Sequence, residues 1–218
     1  MTIRICPSIL NADHSKVFEE IQRVASADLL HLDVMDNVFV PNQTFSFDEC
    51  EEIIRKSPIP VDTHLMIIDP DENAELYAKA GSANVTFHFE ASKDPRETIR
   101  RIKATGARAG LAVKPKTTFD EVSEFLSEID LLLIMTVEPG FGGQTFMADQ
   151  LIKVERAHAA INELVGEAPW LQVDGGITLA TIAIAARAGA DTFVAGSAIY
   201  KSADAEQAIN ELRELARL

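Results

Sequence analysis

Cysteine is scarce in this 218-residue sequence: Cys6 and Cys50 stand far apart, with no C-x-x-C between them. That argues against a disulfide framework and points to free thiols of a cytosolic protein. Positive charge is also short. Twenty Lys and Arg face 34 Asp and Glu, a net charge of −14, which argues against nucleic acid as a partner. The acidic excess is expected on solvated helix faces. An anionic substrate would therefore have to be held by local dipoles against an unfavourable overall field. No apolar run reaches the length of a membrane span, so no membrane association is expected. Met1-Thr2-Ile3-Arg4-Ile5 lacks the plan of a signal peptide and reads directly as a strand, consistent with a cytoplasmic protein. Linkers, low-complexity tracts and a G-x-G-x-x-G after the first strand are missing too, which weakens the case for a doubly wound dinucleotide fold.

What the sequence does contain is an alternation. Apolar strand-like runs begin near Ile3, Leu29, Val61, Asn84, Arg108, Leu131, Trp170 and Thr192, and amphipathic helix-like runs cover 15–26, 47–56, 71–80, 96–105, 118–128, 147–165, 178–188 and 204–217. Eight β-α units in this length predict a single-domain (β/α)8 TIM barrel over residues 1–218, with its site at the C-terminal ends of the strands. Asp69-Pro70-Asp71-Glu72 and Asp94-Pro95-Arg96-Glu97 each offer an Asp N-cap, Pro at the first helical position and a capping-box Glu. Gly81, Gly106 and Gly189 fall where helices should end.

His31-Leu32-Asp33-Val34-Met35-Asp36 alternates polar and apolar residues, so His31, Asp33 and Met35 share one strand face. An imidazole and a carboxylate side by side suit a divalent metal, although one H-x-D alone is an ordinary polar pair. Two further strand ends reinforce it: Val61-Asp62-Thr63-His64 supplies a second His, and Leu171-Gln172-Val173-Asp174 a second Asp. His31, Asp33, His64 and Asp174 are the candidate ligands.

Glycine clusters follow the last three strands: Gly140-Phe141-Gly142-Gly143, Gly175-Gly176, and Gly196 before Ser197. Backbone amides left bare ahead of a helix make an anion site, and the loops after strands seven and eight of such barrels often cradle phosphate. Ser8, at the end of strand one, suits either a ligand contact or the cap of the next turn. Thr86, His88 and Glu90 share one face of strand four and read as a hydrogen-bonded polar layer, with a catalytic part as the alternative. His14 and His158 have no assigned role.

Taken together, these segments resemble the ribulose-phosphate 3-epimerase family. The matching stretches run nearly end to end: Pro7–Leu10, His31–Asp36, Phe39–Asn42, His64–Met66, Thr86–His88, Val137–Gln144, Val173–Gly176 and Val194–Ser197. The resemblance implies one divalent ion per subunit on His31, Asp33, His64 and Asp174, with Zn or Fe(II) favoured and Mn or Co also suited to the donors. It implies Asp33 as proton acceptor and Asp174 as proton donor. It also implies substrate contacts from Ser8, His64, Gly140, Phe141, Gly142, Gly143, Asp174, Gly175, Gly176, Gly196 and Ser197. Met35, Met66 and Met135 would wall the intermediate. Asn37, Ser46, Lys114 and Thr118 depart from the family pattern, which usually has Gly, Gly, Asn and Pro there.

The implied reaction inverts C3 of a ketopentose phosphate, D-ribulose 5-phosphate to and from D-xylulose 5-phosphate, in the pentose phosphate pathway. Two carboxylates on opposite walls would remove and return the proton while a metal stabilises the enediolate. A phosphosugar substrate, a cytoplasmic location and a homo-oligomer follow from the same resemblance. Left open are an epimerase of a six-carbon ketose 6-phosphate and a non-catalytic barrel that binds phosphosugar or metal. A phosphosugar decarboxylase would need a lysine near the position that Met35 occupies.

Overall fold

In a computed structural model, which describes residues 2–217, eight parallel strands form one sheet curled into a TIM barrel. The strands are β1 (Arg4–Pro7), β2 (Leu30–Met35), β3 (Val61–Met66), β4 (Asn84–His88), β5 (Arg108–Val113), β6 (Leu131–Met135), β7 (Trp170–Asp174) and β8 (Thr192–Ala195). Their ladder runs unbroken from β1 through β8 and round to β2. Between β1 and β2 it narrows to one bridge, Ser8 to His31. Pro7 has no N–H to donate, which accounts for a thin seam at that point.

The outer layer consists of α1 (Val17–Arg23), α2 (Phe47–Lys56), α3 (Pro70–Ala80), α4 (Pro95–Ala104), α5 (Leu151–Asn162), α6 (Ile182–Arg187), α7 (Ser197–Tyr200) and α8 (Ala205–Ala216). Residues 118–128 do not form the expected helix; two 3-10 turns, Phe119–Glu121 and Ser123–Phe125, take its place. The buried residues there are Phe119, Val122, Phe125 and Leu126, the first three spaced by three. Residues spaced by three line up on one side of a three-residue turn. The short α7 was not anticipated.

Asp94 caps α4 by accepting from Glu97 N–H at 3.1 Å, but Glu97 turns forward to Arg100 and closes no capping box. Asp69 makes no cap bond, and its carboxylate points outward, 4.0 Å from Lys93 Nζ. Reciprocal boxes form instead at Ser46 with Glu49 and at Thr118 with Glu121, two of the four departures from the family pattern. A third, Asn37, holds a left-handed turn at φ 57°, which Asn tolerates better than most residues. Gly81, Gly106 and Gly189 take positive φ at helix ends as expected.

Leu32, Val34, Leu65, Val85 and Phe87 point outward and are buried beneath the helices. Inward-pointing residues fill the barrel. At its floor, the guanidinium groups of Arg4 and Arg108 lie 3.9 and 4.0 Å from the Trp170 ring. Above them the interior turns polar, through Asp62, Gln172, Asn84, His31, His64 and His88, all buried.

Candidate active site

Alternation along β2, β3 and β7 delivers His31, Asp33, His64 and Asp174 to one place at the C-terminal mouth. One donor atom from each lies within 4.8 Å of the others. Asp33 Oδ1 is 3.4 Å from His31 Nε2 and 3.3 Å from His64 Nδ1, and Asp174 Oδ2 is 3.7 Å from that same His64 nitrogen. His31 Nδ1 is engaged by Asp62 Oδ2 at 2.8 Å, and Gln172 Nε2 donates to the same oxygen at 2.7 Å. His31 Nε2 is left buried with no hydrogen-bond partner, aimed at the two aspartates. A buried, unmatched nitrogen beside two carboxylates and a second imidazole is a donor set that fits a divalent cation. Asp62 and Gln172 were not singled out from sequence; an inward-facing Asp one residue pair before His64 was the available signal.

The two aspartates are set apart electrostatically. Burial opposes ionisation of Asp33, but His31 and His64 beside it outweigh burial and hold its carboxyl far below the usual carboxylate range. Ser8 Oγ adds a 2.6 Å hydrogen bond to its Oδ2. Burial, followed by repulsion from Asp33, pushes Asp174 up to about 6. Asp174 keeps 16% of its side chain exposed, against 4% for Asp33, so it stands at the rim and Asp33 at the back. For His31, burial alone would lower the pKa, yet Asp33 and Asp62 raise it well above the ordinary value.

A cavity of about 510 Å³ opens in front of this pair. Ser8, Asp33 and Asp174 line it together with Met35, Met66 and Met135. Gly140–Gly143, Gly175, Gly176, Gly196 and Ser197 belong to the same lining. His31 and His64 sit behind the carboxylates and do not line it.

The glycine loops are held from behind. Asn42 Nδ2 donates to Gly140 O at 3.0 Å, and Gln144 Nε2 donates to Glu138 O and Phe141 O. Thr136 Oγ1 donates to Gly175 O at 2.7 Å, and Thr181 Oγ1 to Gly176 O at 2.8 Å. Among the described residues, no protein acceptor meets the N–H of Gly142, Gly143 or Gly176. Asn11, absent from the expectations, wedges between two loops: a Cβ on Gly196 would lie 1.9 Å from its Oδ1, and one on Gly142 2.7 Å from its Nδ2. Of the two roles left open for Ser8, the cap is formed: its Oγ accepts from Leu10 N–H at 3.3 Å. The strand-four trio splits. His88 and Glu90 join a line of hydrogen bonds to His64, while Thr86 Oγ1 has no partner.

Comparison with known proteins agrees with the geometry. The model of the family described as "Ribulose-phosphate 3 epimerase family" matches residues 4–200. A Mycobacterium leprae protein called ribulose-phosphate 3-epimerase is 47% identical over 213 residues, 97% of this chain and 94% of its own. The Bacillus subtilis protein of that name is 38% identical over 213 residues, 97% of this chain and 98% of its own. Among solved structures, 3-hexulose-6-phosphate synthase from Salmonella typhimurium superposes with a TM-score of 0.71 at 20% identity, covering 99% of both chains. Orotidine 5'-phosphate decarboxylase from Pyrococcus horikoshii OT3 gives 0.66 at 14% identity, covering 98% of this chain and 99% of its own. These two share the fold.

Proposed function

The chain belongs to the ribulose-phosphate 3 epimerase family and is an epimerase, and we propose that it inverts C3 of D-ribulose 5-phosphate and D-xylulose 5-phosphate by metal-dependent two-base proton transfer. The observation that carries this reading is the pair Asp33 and Asp174. Inversion requires a proton removed on one face of C3 and another delivered on the other. One acid must begin ionised and the other protonated. Asp33 is held low and Asp174 is pushed up to about 6, so Asp174 holds a proton more readily than Asp33, the order the scheme requires.

Asp33 takes the C3 proton, with Ser8 fixing its Oδ2 and leaving Oδ1 toward the cluster. Asp174, on β7, returns a proton from the other wall. His31, Asp33, His64 and Asp174 would hold the divalent ion, which would act as a Lewis acid toward the carbonyl beside C3 and stabilise the charge of the enediolate. Met35, Met66 and Met135, each at most 3% exposed, exclude water from that face. The phosphate is held by the N–H groups of Gly142, Gly143, Gly176 and Gly196 or Ser197, with Gly140, Phe141 and Gly175 shaping the rim. No lysine is needed, which suits a chain of net charge −14.

The same reading assigns the enzyme to the pentose phosphate pathway, in the cytoplasm, as a homo-oligomer. No helix among the described residues is long and apolar enough to cross a membrane. A 39% identical rice relative is called a cytoplasmic isoform. The test is turnover after stripping metal with a chelator and refilling with Zn2+, Fe2+, Mn2+ or Co2+. Activity on D-ribulose 5-phosphate should vanish and return. Faster turnover of a six-carbon ketose 6-phosphate, or activity indifferent to stripping, would contradict the proposal.

A further inference from the structure

A line of polar side chains leaves the four-residue cluster and runs toward the surface. His64 Nε2 lies 3.0 Å from His88 Nε2, and His88 Nδ1 lies 3.2 Å from Glu90 Oε2. The other carboxylate oxygen, Glu90 Oε1, accepts from the Lys114 N–H at 2.7 Å and from the Thr117 hydroxyl. The Lys114–Thr117 turn is itself closed by Thr117 N–H on Lys114 O, and Lys153 Nζ donates to Lys114 O at 2.9 Å.

The direction of every bond in the line follows from its outer end. A peptide N–H can only donate, so Glu90 accepts there, and an ionised carboxylate accepts through its second oxygen as well. His88 then carries its proton on Nδ1 and presents a lone pair at Nε2. Only an N–H on His64 Nε2 can meet that lone pair. With Nε2 so occupied, Nδ1 is the nitrogen left to the cluster: it lies 3.3 Å from Asp33 Oδ1, within hydrogen-bond reach, and 3.7 Å from Asp174 Oδ2, and an ion bound there takes the place of any proton on Nδ1.

We propose that Glu90 is a positioning residue for the metal: acting through His88, it holds His64 in the tautomer whose Nδ1 lone pair faces the ion. This rests on the metal-dependent reading above. Asp62 stands to His31 in the same relation with no residue between, so each candidate imidazole ligand is backed by its own carboxylate. The charge state of Glu90 agrees with the geometry. Burial would raise Glu90, but His88, Thr117 and the Lys114 N–H outweigh it and hold the carboxyl at about 2.

Glu90→Gln tests this at constant size. The amide oxygen must stay on the Lys114 N–H, so the amide nitrogen turns to His88. His88 must then accept at Nδ1 and donate from Nε2, and the proton of His64 is driven onto Nδ1, where the ion belongs. Co2+ affinity, measured by competition with a chelator, should fall by about 10–100-fold. The metal-free variant should remain folded, with a lower thermal midpoint, because the charge that His88, Thr117 and the Lys114 N–H stabilise is gone. Nitrogen-15 NMR of the metal-free protein reads the relay directly: His64 Nε2 should be protonated in the wild type and unprotonated in Glu90→Gln. Wild-type Co2+ affinity and a protonated His64 Nε2 in Glu90→Gln would overturn the proposal, as would a wild-type His64 unprotonated on Nε2. If the wild type binds no Co2+, the metal reading fails, and the NMR tautomers still decide the relay.

Discussion

Ser8 and Asp33 join the barrel's thinnest seam to its chemistry. Ser8 forms the single bridge to β2, opposite His31, and its hydroxyl donates to Asp33 Oδ2 at 2.6 Å. A hydrogen bond to a charged group contributes about 1.5–3 kcal/mol. Removing this one should weaken the hold on the ionised form of Asp33 and free its orientation. Ser8→Ala is therefore expected to lower kcat by about tenfold or more, with each tenfold being ~1.4 kcal/mol. Metal content and fold should persist. Steady-state kinetics with metal analysis of the same sample checks this, and an unchanged kcat would remove Ser8 from the proton-transfer machinery.

Asp174 makes the metal-free protein sensitive to pH in a definite direction. Its folded pKa, about 6, is raised by burial and by Asp33 above the ordinary carboxylate value. A raised acid stabilises the fold while protonated, so its contribution is complete below about pH 4 and is lost as pH rises through 6. In excess chelator, Asp174→Asn should be more stable than wild type at pH 8, by on the order of 2–3 kcal/mol. The difference should close by pH 4. Urea melts at the two pH values measure it. With saturating Zn2+ the order should reverse, because the variant has lost a ligand.

Gly196 and Asn11 are in contact where the phosphate is proposed to sit. A Cβ on Gly196 would meet Asn11 Oδ1 at 1.9 Å before it reached any ligand. Gly196→Ala should displace Asn11 and raise KM by about tenfold, a loss of ~1.4 kcal/mol of binding. Asn11→Ala/Gly196→Ala should recover part of it, since the blocking atoms are gone. A folded Gly196→Ala with wild-type KM would place the phosphate elsewhere.

The barrel and the four-residue cluster could be read from the sequence because both depend on short periods. Alternation along β2 alone sets His31 and Asp33 on one face, and strand ends in a barrel converge. The rest depends on partners distant in sequence. Asn11 matters only because Gly142 and Gly196 press on it. The Glu90 line needs the β5 turn at Lys114 to fix its direction. Residues 118–128 carried helix-like composition, with Phe119, Val122, Phe125 and Leu126 buried as on a helical face, yet they form two 3-10 turns. Asp69 had the sequence of a cap, yet its carboxylate faces outward beside Lys93. Ser46 and Asn37, which looked like departures from the family pattern, supply a capping box and a left-handed turn.

The most direct measurement is hydrogen exchange at C3 in deuterated water with Asp174→Asn, in protein shown to retain its metal. If Asp33 and Asp174 serve opposite faces, this variant should form no epimer. It should still exchange the C3 hydrogen of the one substrate epimer whose proton Asp33 can reach, and Asp33→Asn should do so only from the other. Epimerisation by metal-loaded Asp174→Asn at near the wild-type rate would contradict the two-base scheme.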